Sequence, residues 1–168
     1  CIRDRSISPV DQGLIDQVMH IGNGSEPQGL DPHVVTGVPE HHLLITMCEG
    51  LTVSNPAGGA NLPGMAESWE ISEDGKTYIF NIRKDAVWSN GDEFVAEDIV
   101  WSWMRVLTPS LGSQYPDMLY YVEGAEDYNT GKIKDFSKVG VKALDNKTLQ
   151  VNLNNPTPFF LGLLSHYS

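Results

Sequence analysis

The feature that most constrains the fold of this chain is a pair of alternating segments, Ala66–Ile71 and Thr77–Ile82, around Ser72-Glu73-Asp74-Gly75-Lys76. That spacing predicts a β-hairpin with a glycine-bearing loop. Successive side chains on a strand point to opposite faces, so Tyr78 and Phe80 share one face and Thr77, Ile79 and Asn81 the other; one side is expected to meet a core. A partner for that face comes later in the chain. Ala96–Leu107 places Ile99, Val100, Trp103 and Val106 or Leu107 on one helical stripe, with Glu97 and Asp98 in the first turn and Pro109 beyond the end. Residues 139–144 and 148–153 predict a second hairpin around Asp145-Asn146-Lys147. The chain is therefore expected to be mixed α/β.

The rest of the chain is less regular. Residues 17–22 alternate well enough for a strand, which Gly22-Asn23-Gly24 breaks. Residues 25–39 contain three prolines and two glycines, predicting an ordered irregular crossing. Pro39 and Glu40 open a short helix through Leu43, Leu44 and Met47 that stops at Gly50. Residues 55–61 read as a turn-rich loop and residues 117–129 as a helix. Residues 158–167 start an apolar helix with no closing element after it, so its apolar face is expected to find a partner in a longer polypeptide.

Composition excludes several functions. With 22 acidic and 11 basic side chains the formal charge is −11, which repels phosphate backbones and disfavours nucleic-acid binding. The longest apolar cluster, Phe159-Phe160-Leu161-Gly162-Leu163-Leu164, is far short of the roughly 18 residues of a membrane span. The two cysteines are too few for a disulfide framework or a cysteine zinc site. Their positions say more: Cys1 followed by a polar, aperiodic stretch is arranged like a mature bacterial lipoprotein, with Cys1 as lipid attachment and residues 1–16 as a flexible leader. Cys48, at a helix end, reads as a small buried apolar residue.

No catalytic or cofactor pattern emerges. Gly22-x-Gly24 lacks the third glycine of a dinucleotide loop, and no phosphate loop is present. Ser25, Ser68 and Ser102 have no nucleophile-elbow context. Carboxylates are abundant but unspecific, and Glu97 and Asp98 are accounted for by the helix dipole. His41 and His42, adjacent on a helix, point about 100° apart and do not form a same-face metal pair. Trp69, Trp88, Trp101 and Trp103 could suggest an aromatic binding platform, but at these spacings most are expected in the core or packed on hairpins. The chain is read as a non-enzyme with no cofactor and no metal.

One ordered series is far more specific. Pro63-Gly64-Met65-Ala66-Glu67-Ser68-Trp69-Glu70, Asp74-Gly75-Lys76-Thr77-Tyr78-Ile79-Phe80-Asn81-Ile82-Arg83-Lys84-Asp85-Ala86-Val87-Trp88-Ser89-Asn90-Gly91-Asp92 and Ala96-Glu97-Asp98-Ile99-Val100-Trp101-Ser102 together resemble the signature of the extracellular solute-binding proteins of family 5. Gly24-Ser25-Glu26-Pro27-Gln28-Gly29-Leu30-Asp31-Pro32-His33, Gly37-Val38-Pro39-Glu40 and Glu49-Gly50-Leu51 resemble the N-terminal segment of the family's oligopeptide binders. The resemblance runs from Ile21 to about His166 and corresponds to the first third of such proteins.

It implies a periplasmic-binding-protein-like α/β fold of type II, in the cluster with an extra lobe, here as an incomplete two-lobed fold. Residues 17–46 would begin lobe I, 47–165 would form the smaller extra lobe and 166–168 would start the return to lobe I. It implies a periplasmic or envelope protein, possessing no catalytic residues, that captures short peptides between lobes. The bound protein would deliver them to an ABC permease with its ATPase subunits, acting as a monomer whose one membrane link is the lipid on Cys1. Peptides would pair by their backbones, with Thr36, Gly37, Val38 and Tyr115 as ligand contacts; Tyr115 also reads as a buried helix-start residue. The same fold also serves non-peptide solutes such as nickel chelates, haem or sugars, and surface interaction or signalling proteins. Thr36 departs from the acidic residue of the oligopeptide binders, which leaves ligand preference open. Val95 departs from the family's threonine and removes a helix cap worth about 1 kcal/mol unless Asp92 or another group replaces it.

Overall fold

A computed structural model of the chain describes residues 9–18 and 22–166. The elements run α1 (Pro9–Asp16), α2 (Val38–Met47), β1 (Thr52–Val53), β2 (Leu62–Pro63), β3 (Ala66–Ile71), β4 (Thr77–Ile82), α3 (Ala96–Leu107), α4 (Ala125–Asn129), β5 (Val141–Asp145), β6 (Thr148–Asn152) and α5 (Phe160–Leu163). Both predicted hairpins form, and β4 and β6 join them into one antiparallel four-stranded sheet of order β3-β4-β6-β5. β1 and β2 pair as a separate short ribbon.

The alternation in β4 is borne out: Tyr78, Phe80 and Ile82 are buried while Thr77, Ile79 and Asn81 are half-buried. Register places Phe80 opposite Trp69 and Leu149, and Tyr78 opposite Val151, so one sheet face is continuously apolar. α3 covers that face with Ile99, Val106 and Leu107, and Val100 and Trp103 pack beside them. Phe160 of α5 meets Tyr78 edge-on at 5.2 Å, closing the core from the chain's other end. Burial of each such side chain contributes about 1.5–3 kcal/mol. The buried cluster draws on residues between Leu51 and Leu164. The buried Thr52 hydroxyl donates to Leu161 O at 2.7 Å, tying the short ribbon to α5 without an unsatisfied polar group.

The two outer strands are irregular. Register slips between Ala66 and Ser68 in β3 and between Ala143 and Asp145 in β5, so the sheet carries a bulge at each edge.

The missing cap at Val95 is partly replaced. Asp98, three residues on, accepts the Val95 N–H and the Trp88 Nε1–H, each at 3.0 Å. This is the reciprocal half of a capping box. Asp92 plays no part in it, being engaged instead by the Asn90 amide at 2.7 Å.

Several expectations are corrected. The leader over residues 1–16 contains α1, which Pro9 opens and Gln17 ends with φ 57 as Val18 N–H returns to Gly13 O. The strand over residues 17–22 falls mainly on residues 19–21, outside the described residues; Gln17, Val18 and Gly22 are not in a strand. The helix over residues 117–129 is interrupted: a 3-10 turn, Pro116–Leu119, precedes α4, because Gly124 takes the left-handed φ of 71 and Val122 bridges to Leu153. The apolar helix over residues 158–167 shortens to α5, with glycine inside it at Gly162 and a turn from His166 N–H to Leu163 O after it. Cys48 is exposed: it is the C-cap of α2, its N–H returns to Leu44 O, and its extended backbone leaves the helix there. Trp69 and Trp103 pack on the core as expected, but Trp88 and Trp101 are 49% and 57% exposed.

Candidate ligand-binding site

The crossing segment, residues 25–37, is held by its side chains and turns, with no strand or helix of its own. Its first tether lies at the start of α2. Glu40 is only 2% exposed and accepts the Gln28 N–H at 2.6 Å, and its charge sits near the positive end of the helix dipole. Its other oxygen has no partner among the described residues. That carboxylate occupies the place where a Cβ on Gly37 would project, so a side chain at this N-cap would have to displace it.

The second tether is a clasp to α3. Arg105 donates from Nη1 to Asp31 Oδ1 at 2.9 Å and from Nη2 to Asp31 Oδ2 at 2.5 Å, a bidentate pair. The same Nη1 lies 2.7 Å from His33 Nδ1, and His33 Nε2 lies 3.1 Å from Ser102 Oγ. Guanidinium has no acceptor, so Nδ1 must accept, Nε2 carries the proton, and the imidazole is neutral. Burial first, and then the Arg105 charge, hold His33 below its ordinary pKa, against the attraction of Asp31. The Arg105 hydrogen bond chiefly lowers Asp31.

This geometry is not that of a nucleophile and base. The His33 nitrogen facing Ser102 already bears a proton and has none to receive. Among the described residues no group of three or more His, Cys, Asp or Glu is placed to hold a metal.

The sequence-derived contact residues stand at the start of α2. Thr36 is exposed, Gly37 is the N-cap and Val38 is 67% exposed. Their three backbone N–H groups meet no acceptor among the described residues. Tyr115, half-buried, precedes the 3-10 turn at Pro116–Leu119; its ring meets His166 edge-on at 5.4 Å, and His166 lies 6.3 Å from His41 in α2. Tyr115 and the start of α2 are thus joined through two histidines. Burial, and then the charge of His41, lower the pKa of His166. Cys1 lies outside the described residues. Sequence reading missed the clasp, the burial of Glu40 and the role of His166. The Asp-Pro-His turn was the one available signal, and it named no partner.

A model of the bacterial extracellular solute-binding proteins of family 5, middle region, matches residues 62–168, more than half of the chain. The chain belongs to this family. This family 5 chain is 42% identical over 158 residues to the periplasmic oligopeptide-binding protein OppA of Haemophilus influenzae, covering 92% of itself and 29% of that relative. It is 44% identical over 154 residues to OppA of Escherichia coli K12, covering 90% of itself and 28% of that protein. The structure of Haemophilus influenzae OppA in complex with the peptide RPPGFSPFR superposes with a TM-score of 0.80 at 42% identity, over 86% of this chain and 28% of that one. The chain thus spans under a third of the length of these relatives. Its fold is part of the periplasmic peptide-binding fold, and the family is one of extracellular solute-binding proteins.

Proposed function

We propose that this chain contributes to the substrate-binding component of an ABC importer, capturing short peptides in a cleft and delivering them to a membrane permease. The observation that carries this reading is the 42–44% identity to OppA proteins over nine tenths of the chain. The geometry supports it physically. The N–H groups of Thr36, Gly37 and Val38, without an acceptor among the described residues, offer donors to which an extended peptide backbone can hydrogen-bond, independent of its side-chain sequence. Tyr115 faces the same region through His166 and His41 and would contact the ligand from the second lobe. Residues up to about 46 begin lobe I in this reading, and residues 47–165 form the extra lobe, in keeping with a core that starts at Leu51.

The mechanism is reversible binding with lobe closure, the closed complex being the form that docks on the permease, whose ATPase subunits supply the energy. The protein acts as a periplasmic or envelope monomer, held at the membrane by lipid on Cys1. No bond-making is assigned to any residue, and the neutral, fully engaged His33 beside Ser102 supports that view. Native mass spectrometry of the protein as purified from its source, followed by denaturation, tests the reading. A ladder of heterogeneous short peptides is expected; release of one non-peptide species would overturn the ligand.

A further inference from the structure

We infer that Arg105, acting with Asp31 and His33, is a positioning residue for ligand capture: it fixes the crossing segment against α3 and thereby sets where the Thr36–Gly37–Val38 backbone stands. The inference rests on the peptide-capture reading above.

The chain of contacts is short. α3 is anchored on the core by Ile99, Val106 and Leu107, so Arg105 projects from a rigid base. It grips Asp31 with both guanidinium arms. Asp31 in turn organises the residues after it: its carboxylate accepts the His33 N–H at 3.1 Å, and its carbonyl accepts Val34 N–H at 3.1 Å and Val35 N–H at 3.2 Å. Thr36 is the next residue, and Gly37 O accepts the His41 N–H at 2.9 Å, which ties it to the first turn of α2, where Glu40 also holds Gln28. A row of donors that must match the repeat of an extended peptide is sensitive to displacement of such an anchor.

The clasp also has a proton-sensitive member. His33 must accept at Nδ1 from Arg105; protonation removes that acceptor and sets imidazolium against guanidinium. The charged groups facing His33 are Asp31 from its own segment and Arg105 from α3, and burial with Arg105 keeps it neutral at ordinary pH. Acidification is therefore expected to loosen the clasp. Gln at position 33 retains an acceptor for Arg105 and a donor for Ser102 without a titrating group.

The test uses the protein at its full natural length. Calorimetry with trialanine and with RPPGFSPFR, at about pH 7 and about pH 5.5, is combined with amide hydrogen exchange. Arg105→Ala is expected to weaken peptide binding about tenfold, the scale of coupling through a packed network, and to speed exchange at the Asp31-bonded amides of residues 33–35 but not at Phe80 or Leu149. Arg105→Lys, which retains charge without the fork, is expected to fall between. His33→Gln is expected to bring the ratio of affinities at the two pH values toward one. Wild-type affinity in Arg105→Ala, or exchange raised equally in the core, would overturn the inference. Should the unmodified protein bind neither peptide, the capture reading fails separately; unaltered exchange at residues 33–35 in Arg105→Ala would then overturn the positioning role as well.

Discussion

Glu40 shows how much one side chain settles at the start of α2. It is a buried carboxylate with one oxygen on Gln28 N–H and the other without a partner among the described residues, an arrangement with a cost that the helix dipole offsets in part. Removing it in Glu40→Ala takes the acceptor from the part-buried Gln28 N–H bond and is expected to destabilise by about 1 kcal/mol in urea unfolding. Gly37→Ala is expected to destabilise too, because the new methyl meets that carboxylate. In a Glu40→Ala background that collision is removed. A double-mutant cycle should therefore return a coupling of about 1 kcal/mol or more; additive effects would show that the crowding has another source.

At the scale of elements, the N-terminus of α3 has one half of a cap and lacks the other. Val95 offers no side-chain oxygen, while Asp98 accepts the Val95 N–H. Val95→Thr is expected to stabilise by about 1 kcal/mol, visible as a rise in unfolding temperature. Before α4, Gly124 holds φ 71 with its missing Cβ 2.8 Å from Lys138 O, so Gly124→Ala is expected to destabilise by at least about 1 kcal/mol. These two sites mark what a sequence can and cannot disclose. β3, β4 and α3 are legible to the residue because period and punctuation agree: Tyr78 and Phe80 repeat every second residue, and Ala96–Leu107 lies between an acidic first turn and Pro109. The stretch before Asn129 misleads because its single glycine acts as a left-handed break that no periodicity records. Thr36, Gly37, Val38 and Tyr115 are legible only through resemblance, since exposed backbone donors leave no mark in composition. The Asp31–Arg105 pair spans 74 positions, and its members are ordinary surface residue types until the fold brings them together.

For the whole molecule, stability should depend on pH in a defined direction. His33 and His166 are both held below the ordinary value of 6.5, chiefly by burial, so the unfolded chain binds protons more readily than the folded one. Stability is then full above about 6.5 and declines as pH falls from there toward the lowered folded values. Asp31, also lowered, adds a further decline below its ordinary 3.8. Unfolding temperature measured from neutral to mildly acidic pH should fall, and less steeply in His33→Gln; an upward trend on acidification would contradict the assignment of neutral imidazoles.

The two bulged outer strands have a consequence of their own. A protein proposed to offer backbone donors to extended peptides faces a hazard: any straight, unpaired strand of its own would compete for the same cargo, or for another copy of itself. β3 and β5 each break register, and they carry charges along their length, Glu67 and Glu70 on one and Lys142 and Asp145 on the other. Neither margin presents an even ladder. The sheet is thereby made a poor adhesive, which leaves a proposed row of amides at the start of α2 free of competition from its own margins.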